Sequence, residues 1–179
     1  MDREKVEKAV KDLIEAMGFD SESENFKETP RRFADFLEEL FTPKITEDDY
    51  VTFSSAGNLV IAKDVNVFSL CPHHLLPVIY KVNIAYLPHG KVVGVSKLAR
   101  VAMDLARKLP LQEDFTEQIA DGIVNLTGSN DVMVVVRGKH FCMVMRGVRQ
   151  ENSEIVTSSI RGSYFSSKDL RDETLSLMK

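Results

Sequence analysis

Two cysteines in 179 residues are too few to staple a disulfide scaffold. Cys71 and Cys142 also lie far apart in the chain, and in a reducing compartment such a pair is more often metal-bound or buried than bridged. Positive charge is short as well. The 23 Lys and Arg stand against 27 Asp and Glu, a net charge of −4, which excludes the broad basic surface of a generic nucleic-acid binder and leaves any anionic ligand to a local basic cluster. No apolar run approaches the roughly 20 residues that span a bilayer. The start, Met1-Asp2-Arg3-Glu4-Lys5-Val6, has neither the apolar stretch of a signal peptide nor the acid-poor look of a transit peptide. The expectation is a cytoplasmic protein with no membrane and no nucleic-acid partner. Repeats of solenoid period and low-complexity tracts are missing too. With 44% hydrophobic residues the chain suits one compact domain, residues 1–179.

The apolar periodicity divides that domain. Val6, Ala9, Val10, Leu13, Ile14 and Met17 recur at helical steps until Gly18, and Thr29 as N-cap with Pro30 at the first helical position announces a second helix carrying Phe33, Phe36, Leu37, Leu40 and Phe41. These form an N-terminal helical pair, residues 1–44, followed by a polar linker from Thr42 to Asp49 and a core of residues 59–179. Period two then takes over at Val65 and Val67, at Val82, Ile84 and Tyr86, and past the Pro88-His89-Gly90 turn at Lys91-Val92-Val93, which predicts antiparallel strands. Ser96 is placed to cap a third helix through Leu98, Val101, Ala102, Leu105 and Leu109, interrupted by Pro110. Asp114 and Glu117 read as a capping box for a fourth, with Phe115, Ile119, Ile123 and Leu126 on one face and Gly128 as its stop. Two strands follow, Val132 to Val136 and His140 to Met145, and then a short helix. The order predicts an α+β fold, an antiparallel sheet with helices on one face.

Three of the four histidines lie beside the two cysteines, in Cys71-Pro72-His73-His74 and His140-Phe141-Cys142. Cys71 and His74, separated by two residues, suit chelation from a tight turn, and Cys142 on a strand would supply a third ligand. Three protein ligands leave the fourth tetrahedral position to water, the catalytic type of zinc site, in which the ion lowers the pKa of that water to roughly 7. A closed structural site with His73 or His140 as fourth ligand is the alternative. On a strand, His140 and Cys142 share a face, so His140 sits beside the metal without necessarily binding it, and Arg146 follows on the same alternation.

Ser96, Lys97 and Arg100 open the third helix, where free N–H groups favour an anion, and the planar fork of Arg146 suits phosphate. Beside them, Gln112-Glu113 offers a carboxylate that accepts two hydrogen bonds from an edge such as that of guanine or a guanidinium. An ordinary solvated basic face and a favourable charge on a helix dipole are the plainer readings of these two features.

Cys71 to Pro77, Gly94-Val95-Ser96-Lys97-Leu98-Ala99-Arg100, Leu111-Gln112-Glu113 and His140 to Val148 occur in an order that resembles the GTP cyclohydrolase I family, and Glu28-Thr29-Pro30-Arg31-Arg32 resembles its second-helix motif. The resemblance runs nearly continuously from Val65 to Leu177. It implies a T-fold, a Zn2+ held by Cys71, His74 and Cys142, and proton transfer by His73 and His140. Further, it implies guanine bound at Gln112 and Glu113, triphosphate contacts from Ser96, Lys97, Arg100 and Arg146, and Arg32 supplied by a neighbouring subunit of a homo-oligomer, usually a decamer. The implied reaction takes GTP as substrate, loses C8 as formate and closes to 7,8-dihydroneopterin triphosphate, a first step towards folate and related pterins. Two positions depart from the pattern. Pro72 stands where the family usually has Glu, and Arg137-Gly138 where an acidic residue is common, with Arg137 expected near the site. Two further readings stay open: a diverged relative that stops at the ring-opened formamide or takes another purine, and a non-catalytic nucleotide-binding protein with a structural zinc.

Overall fold

The computed structural model describes residues 1–42 and 51–179. The expected linker from Thr42 to Asp49 therefore lies, after its first residue, outside the described residues. The chain divides into two compact units, Met1–Thr42 and Pro43–Lys179.

The first unit is a pair of amphipathic helices, α1 (Arg3–Ala16), on which Ile14 is buried, and α2 (Thr29–Phe41), on which Ala34 is buried. Asp2 caps α1 by accepting from Lys5 N. The second helix starts one residue before expectation: Glu28, not Thr29, is the N-cap, and it makes no side-chain capping bond. Pro30 already fixes the backbone of the first turn, so no cap side chain is required to start it.

In the second unit, strands β1 (Thr52–Ser54) and β4 (Lys91–Val93) form a small antiparallel pair. The main sheet is antiparallel with order β2-β3-β5-β6, built from β2 (Val60–Leu70), β3 (Pro77–Tyr86), β5 (Val132–His140) and β6 (Ile155–Ile160). Even-numbered residues of β3 and β5 face one way. Tyr80, Val82, Ile84, Tyr86, Val132, Val134 and Val136 form the main core with Leu98, Ala102 and Ala106 of α3 (Val95–Ala106) and Phe115, Ile119 and Ile123 of α4 (Gln112–Thr127). The α+β arrangement is the expected one, with this helix pair on one face of an antiparallel sheet. On the other face Ala85, Met133 and Val135 pack with Tyr164 of α6 (Ser163–Ser166) and with Met178, which caps α7 (Lys168–Leu177). Ile84 has no exposed surface. Ile84→Ala should cost about 2–5 kcal/mol through lost burial and the cavity left behind, read as a lower denaturant midpoint at unchanged slope.

Three local expectations are corrected. Gly94, not Ser96, is the N-cap of α3, and Ser96 lies in its first turn. Asp114 and Glu117 form no capping box: Leu111 is the N-cap of α4, so Asp114 is one of two acidic groups in the first turn, where the dipole favours them. The predicted strand His140 to Met145 is replaced by a single helical turn, α5 (Phe141–Val144), closed by Met145 N donating to Phe141 O at 3.0 Å. A four-residue apolar run does not distinguish strand from helix by periodicity. Strand β6, which carries exposed apolar and polar residues without a clean alternation, was not foreseen. Gly128 does end α4, in the left-handed conformation that favours glycine.

Candidate active site

Sheet register brings the two halves of the cysteine–histidine pattern together. Leu70 pairs with Pro77 at the end of the β2–β3 hairpin, and Val78 pairs with His140 at the end of β5. The loop from Cys71 to Leu76 and the turn after His140 therefore share one end of the sheet, although the cysteines are 71 positions apart in the chain. The loop is tight. His74 N and Leu75 N both donate to Cys71 O, at 3.2 and 2.8 Å, and Cys71 N donates to Leu76 O at 2.8 Å. Pro72 occupies the second position of the Cys71–His74 turn, where its fixed φ is favoured and no N–H is needed, so the loop accepts this departure without strain.

Cys71 Sγ lies 3.9 Å from Cys142 Sγ and 3.6 Å from His74 Nδ1. The three ligand atoms lie within 4.8 Å of one another, the one such group of three or more among the described residues. His73 stays at its rim, Nδ1 3.9 Å from Cys71 Sγ. Cys71 is buried, Cys142 half-buried and His74 exposed. Burial pushes the Cys142 thiol up, and the adjoining Cys71 adds to the effect, since two thiolates side by side repel. His140 is half-buried and its pKa is lowered, first by burial, with the Glu113 charge opposing. Tyr80, edge-on to the His140 ring at 5.9 Å, is raised by burial and then by Cys71, Glu113 and Cys142, so it stays protonated. These mutual effects put the exposed Glu113 carboxylate within electrostatic reach of the cysteine–histidine cluster.

The chain matches the family described as GTP cyclohydrolase I over residues 6–179. It belongs to that family. Among its relatives, GTP cyclohydrolase 1 of Hyperthermus butylicus is 42% identical over 100% of this chain and 92% of its own. GTP cyclohydrolase 1 of Clostridium perfringens is 41% identical over 99% and 98%, and that of Carboxydothermus hydrogenoformans 41% over 99% and 95%.

Other residues singled out by the GTP cyclohydrolase I motifs fall as follows. Arg146 donates to His74 Nε2 at 2.6 Å, so it meets the cluster, but from the turn after α5 and not from a continuing strand. Ser96 is exposed on the first turn of α3, Lys97 is buried, and Arg100 is half-buried within range of Asp104. Arg32 is exposed on α2, in the first unit. Gln112 is buried, and its amide is taken up by protein groups including His140. Arg137 is not near the cluster: it alternates with Met133 and Val135 and lines a hollow with Asp172, Leu175 and Met178 on the opposite sheet face. Sequence reasoning passed over Thr116 and Thr157 and noted Gly138 only as a departure beside Arg137; all three surround Gln112. A glycine two residues before a histidine at a strand end was the available signal for the last.

Proposed function

We propose that this chain hydrolyses GTP at guanine C8, releasing formate and yielding 7,8-dihydroneopterin triphosphate, with a zinc ion held by Cys71, His74 and Cys142. The observation that carries the reading is the spacing of the three ligand atoms. With Zn–S near 2.3 Å and Zn–N near 2.05 Å, a tetrahedral ion sets two sulfurs about 3.8 Å apart and a sulfur and nitrogen about 3.6 Å apart. The corresponding separations here are 3.9 and 3.6 Å. A divalent cation also removes the repulsion that opposes ionising both thiols. When bound, it supplies a water whose pKa is lowered to about 7 as the nucleophile for C8.

The remaining steps belong to side chains. C8 becomes electrophilic when N7 is protonated, a task for His73 or His140 acting as general acid. Glu113 accepts from the N1–H and exocyclic amine of guanine, and Arg146 with Ser96, Lys97 and Arg100 receives the triphosphate. A ring that gives its Nδ1 lone pair to a metal carries its proton on Nε2, so ligation by His74 and donation from Arg146 exclude one another. Loading the site frees that guanidinium for an anion. Assembly as a homo-oligomer, ten subunits by the resemblance, with Arg32 crossing to a neighbour, belongs to the same proposal.

Incubation of the zinc-loaded protein with GTP, assayed for formate and for a fluorescent pterin after oxidation, is the direct test. Both products are expected. Formate without pterin would indicate arrest at the ring-opened stage, and neither would overturn the reading. Glu113→Ala should weaken GTP binding by about 10²-fold, the loss of two hydrogen bonds to a charged group, and leave inorganic triphosphate unaffected in a titration of both. Equal losses would remove Glu113 from base recognition.

A further inference from the structure

Gln112 is the first residue of α4 and only 3% exposed. Its side-chain nitrogen has three acceptors for its two hydrogens, Ile155 O at 2.8 Å, Thr157 Oγ1 at 3.2 Å and Val136 O at 3.3 Å, so one hydrogen is shared between two of them. Two of these partners are carbonyl oxygens, which only accept, so the NH2 end of the amide must face the sheet and Oε1 must face away from it. Oε1 lies 2.8 Å from His140 Nε2. An amide oxygen cannot donate, so His140 Nε2 must carry the hydrogen, and the neutral ring is left with Nδ1 as its acceptor.

A second set of contacts fixes the same orientation. Thr116 Oγ1 donates to Gln112 O at 2.8 Å and lies 2.6 Å from Thr157 Oγ1. With the Thr116 proton committed to the backbone, Thr157 must donate to Thr116, which leaves Thr157 Oγ1 to accept from the Gln112 amide. Each hydroxyl then gives one bond and receives one in a closed ring. Space is as tightly set as hydrogen bonding. A Cβ on Gly138 would stand 2.2 Å from Gln112 Oε1 and 3.0 Å from Tyr80 Cε1, so only glycine lets the amide lie over β5.

We propose that Gln112 is a positioning residue: seated over Gly138 and oriented by the Val136 and Ile155 carbonyls and the Thr116–Thr157 pair, it holds His140 as the Nε2–H tautomer. This rests on the reading that His140 moves a proton during GTP hydrolysis, and it departs from the resemblance, which makes Gln112 a substrate contact.

The test uses the zinc-loaded full chain with 15N-labelled histidine, His140 being assigned by the signal lost in His140→Asn. Long-range proton–nitrogen spectra should show a protonated Nε2 and an unprotonated Nδ1 in the wild type. Gln112→Met and Gly138→Ala should each give mixed tautomers and lower kcat by about 10²-fold, the scale of one positioned proton-transfer group, at unchanged KM for GTP and unchanged zinc content. Thr157→Val, which keeps the side-chain shape, should shift both readouts in the same direction to a smaller extent. A wild-type ring protonated on Nδ1 would overturn the proposal without any variant. Unaltered tautomers in the variants, or a raised KM at constant kcat, would overturn it equally. The expected wild-type tautomer without formate from GTP would sink the proposed function and leave this assignment standing.

Discussion

Cys142→Ala is expected to strip the zinc and to lower GTP turnover by more than about 10³-fold. A bound zinc ion would lower the pKa of its water to about 7, so losing it would remove nearly all nucleophile at neutral pH. Two ligands from one loop, Cys71 and His74, do not replace three, because the third comes from a separate element and closes the tetrahedral face. Cys142 is the informative choice of the two cysteines. Cys71 is 5% exposed and packs in the main core, whereas Cys142 is half-buried at its margin, so its truncation leaves the fold intact. Metal analysis after desalting should give about one zinc per wild-type chain and far less in the variant. A variant that keeps full zinc would mean that the ion is held elsewhere, and the proposed water activation would lose its basis.

The arrangement that brings Cys142 to Cys71 and His74 was legible in sequence only in part. Cys-x-x-His and His-x-Cys spacing singled out the three side chains that the fold brings within 4.8 Å of one another, because chelation from a loop demands short separations whatever the surrounding fold. The reason offered for Arg146 was wrong although its location was right. Period-two counting ran a strand through Phe141 to Met145, but the chain turns through α5 and still delivers Arg146 to His74. Arg137 failed in the opposite way. Its nearness in sequence to His140 suggested nearness in space, yet an odd number of residues along a strand puts the two on opposite faces. The starts of α3 and α4 were missed by two and three residues because Gly94 and Leu111 cap through backbone geometry, with no side-chain oxygen to advertise them.

What sequence hid most completely was the support beneath His140. Thr116 stands one helical turn from Gln112 on α4, but Gly138 and Thr157 lie on β5 and β6, so only β5–β6 pairing and the approach of α4 to the sheet bring them to Gln112. Such a polar cluster, fully satisfied in a low-dielectric setting, specifies one arrangement where an apolar core would tolerate several.

His73→Ala is expected to lower turnover by about 10²- to 10⁴-fold while zinc stays bound, the range for removing a general acid or base. The two histidines beside the cluster stand in different settings. His140 is half-buried and held by Gln112, whereas His73 is exposed on the loop, edge-on to His74 at 6.3 Å. Its Nδ1 is 3.9 Å from Cys71 Sγ, and it lies outside the compact group of three ligand atoms. Truncating an exposed loop side chain costs the fold little. A fall in kcat with zinc content, GTP affinity and thermal midpoint all unchanged therefore isolates proton transfer. Zinc loss in this variant would instead make His73 a ligand, close the coordination sphere with a fourth side chain, and favour a structural ion over a catalytic one.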